Sequence, residues 1–111
     1  MANLTVHRPG YSIRALFQWD RGQVLEIHGL SLRSAPEVHF AHEDAETAHV
    51  LQSTMDARGV VYAPIPDALL RRAAAIRAWV VEEIGRASKT KREIIIPVIG
   101  REMPGDYEME V

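Results

Sequence analysis

The sequence predicts an all-β domain, a small β-sandwich of about seven or eight short strands with one short helical turn near residues 67–73. Three observations favour this class. Apolar and polar residues alternate over several short stretches, turn-forming residues recur roughly every 8–12 positions, and the glycines stand singly at those turns. A chain of 111 residues suits a single core.

The composition excludes several classes of function. With 47% apolar and 25% charged residues the chain should fold, and its net charge of -2 gives no basic surface for nucleic acid. No apolar run approaches the ~18 residues of a membrane span, and the first residues do not resemble a secretory signal. We therefore expect synthesis in the cytoplasm and neither a nucleic-acid nor a membrane partner. Cysteine is absent, which rules out disulfides and thiolate zinc sites.

The first half of the chain has the pattern of a meander. Strands are predicted, in chain order, over residues 11–19, 24–30, 37–42, 47–54 and 60–63. In the first strand alternate apolar residues are expected on the inner side, namely Tyr11, Ile13, Ala15, Phe17 and Trp19. In the third strand the expected inward residues are Val38, Phe40 and His42.

Two interpretations compete between residues 67 and 84. Asp67 can cap a helix, and Leu69, Ala73, Ile76 and Val80 recur at helical spacing. However, residues 76–84 also alternate and are rich in β-branched and aromatic side chains. We favour a helical turn at 67–73 followed by a strand at 76–84.

The strongest strand of the chain is predicted at residues 92–99, after a polar hairpin loop at 85–90. Pro97 cannot donate a hydrogen bond to a neighbouring strand, so the strand should lie at a sheet edge or bulge at that residue. Residues 1–10 are expected as an N-terminal arm, 11–100 as the β-sandwich domain and 101–111 as an extended C-terminal arm.

The search for reactive groups predicts no catalytic, cofactor-binding or metal site. His39-x-x-His42 with His49 is the tightest histidine group, but on a strand His39 and His42 point to opposite faces. Glu82 and Glu83 are adjacent and also face opposite ways, which disfavours paired acid catalysis. Trp79 is the candidate platform for a glycan, against the plainer interpretation that it is a core or rim residue.

An ordered set of short motifs carries a family resemblance. They are Phe17-x-Trp19-Asp20-x-Gly22-Gln23-Val24-Leu25, Glu37-Val38-His39-Phe40, Ile65-Pro66-Asp67-x-Leu69-Leu70, Ile76-x-Ala78-Trp79-Val80, and Ile94-x-Ile96-Pro97-Val98-x-x-Arg101-x-x-Pro104-x-Asp106-Tyr107. In this order the chain resembles small immunoglobulin-like (Ig-like) β-sandwich structural proteins of tailed phages and prophages of gut bacteria. The chain departs from that pattern at residues 71–75, which are more helical than the family's.

The resemblance implies a non-enzymatic virion protein of the tail, baseplate or head-decoration type. Its expected partners are other virion structural proteins, with homo-oligomers in the particle, and strand addition at an open edge is a simple way to dock. The expected partner-binding residues lie on the edge strand and the arm: Ile94, Ile96, Pro97, Ile99, Arg101 and Tyr107. The alternative is a carbohydrate-binding module for recognition of the host surface, with Trp79 as its platform. A metal-assisted enzyme is the third hypothesis.

Overall fold

The computed structural model describes residues 3–6 and 15–107, and these residues are nearly all in strands or the turns between them. In chain order the strands are β1 (Asn3–Val6), β2 (Leu16–Phe17), β3 (Val24–Ile27), β4 (Glu37–His42), β5 (His49–Gln52), β6 (Thr54–Met55), β7 (Val61–Pro64), β8 (Ile76–Ile84), β9 (Ala87–Ile96) and β10 (Val98–Ile99). A 3₁₀ turn at Asp67–Arg71 separates β7 from β8. The predicted all-β class with one short helical turn is confirmed.

Two four-stranded sheets share one core. The first has the strand order β1-β3-β7-β6 and the second β5-β4-β8-β9, while β10 and β2 form a parallel pair. Leu25 and Val61 of the first sheet pack in the same apolar cluster as Phe40, Ile76 and Ile94 of the second, and all five are fully buried. Two sheets that bury their inner faces against each other form a sandwich.

The strand at Ile76–Ile84 has the predicted bounds. Ile76, Ala78 and Val80 are fully buried at every second position of this strand. The alternation of buried residues therefore outweighed the helical propensity of the residues upstream, and the segment is a strand. The helical tendency is limited to the 3₁₀ turn, which inserts Leu69 and Leu70 into the core. In β4 the inward residues include Phe40 and His42, as expected.

The predicted inner face of the first strand is wrong over its described part. Leu16 is buried, whereas Phe17 is 46% exposed, which is the reverse of the expected alternation. The strand also ends earlier than expected, because Trp19 has a φ of 75° and turns the chain. Tyr11 and Ile13 lie outside the described residues.

The hairpin of β8 and β9 is tighter than the sequence indicated. Ile84 pairs with Ala87, so the loop is only Gly85 and Arg86, and the residues expected as a loop at 87–90 belong to the strand. Gly85 has a φ of 61°, which suits the first position of a type II′ turn. A register shift between Val80 and Val81 marks a bulge in the pairing.

The segments expected as arms are both attached to the sandwich where they are described. Asn3–Val6 pairs in parallel with Val24–Ile27 as β1, and residues 101–107 follow β10 along the surface near Trp19. The parallel pairings of β1 with β3 and of β10 with β2 are additions to the antiparallel sheets that define immunoglobulin domains, so the Ig-like label stays a prediction. The described residues include no helix of the length and apolarity needed to cross a membrane.

Candidate docking surface

The predicted edge strand is the outer strand of its sheet in the described part of the chain. Ile94 and Ile96 are fully buried, so a partner that added a strand here could meet only their backbone. Ile95 and Ile99 are 41% and 47% exposed, and Pro97 between them is also exposed. The apolar side chains that this edge presents to solvent are therefore those of Ile95 and Ile99.

Pro97 ends β9 and moves the chain to a new partner. Its carbonyl oxygen accepts a hydrogen bond of 2.9 Å from the Leu16 N–H, and the carbonyl of Ile99 accepts one of 2.8 Å from Gln18. β9 stops at Ile96, where its pairing with β8 ends, and Pro97 cannot donate a hydrogen bond to a ladder of its own. The strand sequence predicted as continuous over 92–99 is thus divided between two sheets.

The described part of the C-terminal segment lies against the loop after β2. The indole N–H of Trp19 donates to the Arg101 carbonyl oxygen at 3.1 Å, and the Arg101 N–H donates to the Gln18 side chain at 3.4 Å. The rings of Trp19 and Tyr107 meet edge to face with centroids 5.2 Å apart. The arm residues Arg101 and Tyr107 are therefore placed by Trp19; residues 108–111 lie outside the described part.

A cavity of about 450 Å³ opens beside Tyr107. Its lining comes from the loop after β2, the start of β5, the 3₁₀ turn and the C-terminal segment, and consists of Arg21, His49, Pro66, Asp67, Ala68, Arg71 and Tyr107. We call it the Tyr107 pocket. The size is that of a site for a small ligand or a single side chain.

Two guanidinium groups approach the Tyr107 ring from different elements. The Arg21 guanidinium carbon lies 5.0 Å from the ring centroid, and Arg71 Nε donates to the phenol oxygen at 3.4 Å. Asp67 is the carboxylate of the pocket, and its Oδ1 accepts a hydrogen bond of 3.0 Å from the Gly22 N–H. With His49 counted as neutral, the pocket walls carry two positive charges and one negative charge.

Trp79 lies on the outer face of the second sheet. It is half-buried, and its indole N–H donates to Glu93 Oε2 at 2.8 Å. A row of paired residues crosses the sheet there, with Val50 opposite His39, His39 opposite Trp79, and Trp79 opposite Glu93. Trp79 thus points away from the Ile76 side, as the strand pattern requires.

The histidines do not converge on a metal site in the part of the chain that the structure describes, where no three ligand-type side chains lie close together. His39 and His42 point to opposite faces, as predicted. His42 is buried and its Nε2 lies 2.9 Å from the Leu69 carbonyl oxygen, so this nitrogen must carry the proton. Its Nδ1 faces an Arg72 nitrogen at 3.4 Å, and Arg72 also forms a bidentate pair with Asp44.

The carboxylate with the largest pKa shift closes the turn before β7. Partial burial raises the pKa of Asp56, but hydrogen bonds from the Val60 N–H, from Arg58 and from the Tyr62 hydroxyl outweigh this effect and lower the pKa to about 2. All these bonds join Asp56 to residues 58–62, in its own turn and the start of β7, so they stabilise local structure.

The fold and these surfaces define a class of protein: a small β-sandwich with an edge strand, a structured C-terminal segment and a polar pocket. No family model matches the chain, and no curated protein matches it. Among solved structures the chain is similar to the N-terminal domain of phage TP901-1 ORF48, with a TM-score of 0.51 and 15% sequence identity. The match covers 90% of this chain and 97% of the other. At that identity the likeness shows a shared fold.

Proposed function

We propose that this protein is a non-enzymatic structural component of a phage particle that docks onto other virion proteins. The observation that carries the proposal is the shared fold with a phage protein domain over nearly the whole of both chains. The order of the short sequence motifs supports the proposal independently. The resemblance to phage β-sandwich proteins that they carry rests on the amino-acid sequence and not on coordinates.

The proposed docking surface combines the exposed side of β9 and β10 with the adjoining C-terminal segment. Ile95, Ile99 and Met103 are 41%, 47% and 52% exposed, which gives this side an apolar character that a partner could cover. Arg101 and Tyr107 belong to the adjoining C-terminal segment, and Tyr and Arg are enriched at the centres of protein interfaces. Assembly in several copies within the particle belongs to the same proposal.

Particle purification tests the proposal directly. Particles would be induced from the source strain and purified on a density gradient, and each fraction would be analysed by mass spectrometry for peptides of this chain. We expect the chain to sediment with capsid and tail proteins at a constant ratio. A chain that remains with soluble host proteins in every fraction would contradict a virion role.

Variants of the edge test the docking surface. Ile99→Asp should reduce the amount of the chain in purified particles, because it places a charge on the proposed contact. Val50→Asp is the matched control, since Val50 is 54% exposed on a different strand. Equal incorporation of both variants would exclude the edge as the contact.

A second candidate function is glycan binding at the outer face of the second sheet. The favouring observation is that Trp79 points outward and is only half-buried, with its N–H held by Glu93. Glycan-array binding that is lost in Trp79→Ala and retained in Phe17→Ala, at an exposed residue of the separate β2 and β10 pair, would support it. Absence of binding by the unmodified protein would remove this candidate.

A further inference from the structure

The Tyr107 pocket has features that the proposed docking role does not require. Its walls bring together Tyr107, Arg21 and Arg71, and Trp19 contacts the Tyr107 ring from outside the lining. Trp, Tyr and Arg are the residue types that dominate binding energy at protein interfaces. Trp19 adopts a positive φ of 75°, which is unfavourable for a residue with a side chain. Backbone strain of this kind is found where the surrounding structure holds a functional geometry.

Neither Arg21 nor Arg71 has an ion pair among the described residues, whereas Arg58, Arg72 and Arg77 each lie within 4 Å of a carboxylate. Other described arginines also lack such a pair, namely Arg33, Arg86, Arg92 and Arg101. Arg21 and Arg71 are set apart because both contact Tyr107 at the wall of one pocket. Tyr107 engages Arg71 through Nε, which leaves the two terminal nitrogens as a fork. A fork of this kind matches the two oxygens of a carboxylate.

We propose that the Tyr107 pocket is an anchor site for one carboxylate side chain, Asp or Glu, of the virion protein on which this domain docks. The proposal rests on the proposed function for the identity of the partner. The excess of one positive charge in the pocket complements a monoanion, whereas Asp67 would repel a dianionic phosphate more strongly. The Tyr107 ring is already contacted by Arg21 and Trp19, which leaves less of it for stacking against a sugar.

A solution titration tests the chemistry of the site without a partner protein. Backbone and arginine Nε signals would be followed by NMR while blocked glutamate (N-acetyl, α-amide) is added, with the equally blocked glutamine as the neutral match. We expect saturable shifts at Gly22, Arg71 and Tyr107 with the glutamate compound alone. Equal shifts with both compounds, or shifts spread over the surface, would overturn the proposal.

Two further probes separate the ligand classes. Inorganic phosphate and glucuronate would be titrated in the same way. Weaker binding of both than of blocked glutamate supports an acidic side chain as the ligand. Tighter binding of phosphate or of glucuronate at the same residues would overturn the proposal, and would indicate a phosphate or an acidic glycan instead.

Variants connect the pocket to assembly. Arg71→Gln should weaken binding of blocked glutamate by about tenfold and reduce incorporation into particles, and Arg71→Lys should fall between it and the unmodified protein because it keeps the charge without the fork. Arg33→Gln, at an exposed arginine outside the pocket, is the matched control. Thermal unfolding of each variant checks that the domain still folds.

The outcomes distinguish this proposal from the proposed function. If the unmodified chain enters particles and Arg71→Gln enters equally well, the anchor is excluded and the virion role stands. If the unmodified chain never enters particles, the virion role fails and the partner assigned to the pocket fails with it.

Discussion

Single polar side chains satisfy the backbone groups that these short strands leave open. Asp56 accepts hydrogen bonds from two N–H groups of its own turn, and His42 donates to the Leu69 carbonyl of the 3₁₀ turn. Arg92 points to the inner side of β9 and donates to the carbonyls of His28 and Gly29 at 2.8 and 3.4 Å, and burial lowers its pKa. The bonds of His42 and Arg92 tie a strand to a turn or loop, and those to Asp56 close its own turn.

Replacing Asp56 should change how stability depends on pH. Its pKa is lowered from 3.8 to about 2 in the folded protein, so the ionised carboxylate stabilises the fold above about pH 4. That contribution is lost as the pH falls from about 4 towards 2. Asp56→Asn should be less stable than the unmodified protein at pH 7, and the difference should shrink over this acid range in urea-unfolding curves.

Asp106→Asn provides the control, because Asp106 is exposed in the turn near the C-terminal end of the described chain. This variant should be as stable as the unmodified protein at pH 7. A gap between Asp56→Asn and the unmodified protein that stays constant down to pH 2 would show that the lowered pKa is not the cause.

His42 and His39 form a matched pair on opposite faces of β4. His42→Leu should lower the free energy of unfolding by about 1–3 kcal/mol, because it leaves the buried Leu69 carbonyl without the histidine donor. His39 is half-buried on the outer face and bonded to Glu37. His39→Leu should therefore lower the free energy of unfolding by less than about 1 kcal/mol. Equal losses in chemical denaturation would contradict the assigned faces.

Strands in this protein are short, and their turns decide where they end. The hairpin of β8 and β9 turns over two residues, and Glu82 to Ile84 pair only with β9 because β4 ends its pairing at Val81. This part of the hairpin is a two-stranded ribbon, which has few contacts to stabilise it. Its stability depends on the turn residues.

Gly85 is therefore expected to be sensitive to substitution. Gly85→Ala should destabilise the protein by about 1–2 kcal/mol, because a residue with a Cβ is unfavourable at a φ of 61°. Gly105→Ala is the control, since no atom lies within 4 Å of its added Cβ and its φ is not positive. Thermal unfolding that ranks the two alanine variants equally would exclude this turn geometry.

The sequence predicted elements best where one face of a strand is buried. β4 and β8 follow their alternation because each inward residue fills the core, and at residues 76–84 this outweighed helix propensity. The prediction failed at Leu16 and Phe17, where alternation was extended through Trp19 although the chain turns there. A positive φ at a tryptophan has no sequence signal, so the turn could not be anticipated.

The residues of the Tyr107 pocket, too, could be predicted only in part from the sequence. Tyr107 was predicted as a contact residue, whereas Arg21 and Arg71 were not singled out and Asp67 was considered only as a helix cap. Asp67 and Arg71 share the 3₁₀ turn, but Arg21 and Tyr107 come from two other segments, and Trp19 reaches Arg101 across 82 positions of sequence. Only the folded chain brings these three segments together, because no local spacing relates them.

The whole molecule depends on one core that both sheets share. Phe40 is fully buried within it, among residues of β3, β7, β8 and β9. The total stability of a domain of this size is of the order of 5–15 kcal/mol. Loss of one large core side chain therefore removes a substantial fraction of it.

The two phenylalanines of the chain test this claim. Phe40→Ala should lower the free energy of unfolding by about 3–5 kcal/mol, because it removes buried surface and leaves a cavity. Phe17→Ala should have a much smaller effect, since Phe17 is 46% exposed. Guanidinium unfolding followed by far-ultraviolet circular dichroism measures both. Similar midpoints for the two variants would contradict a core centred on Phe40.

The switch of the chain at Pro97 has a mechanical consequence. β10 runs in the same direction as β2, and the backbone hydrogen bonds that join them include those from Leu16 to Pro97 and from Gln18 to Ile99. Tension applied towards the N-terminus at residue 15 and towards the C-terminus at residue 100 acts along both strands. Such a force shears these bonds at the same moment, whereas an antiparallel hairpin pulled at its open end unzips one bond after another.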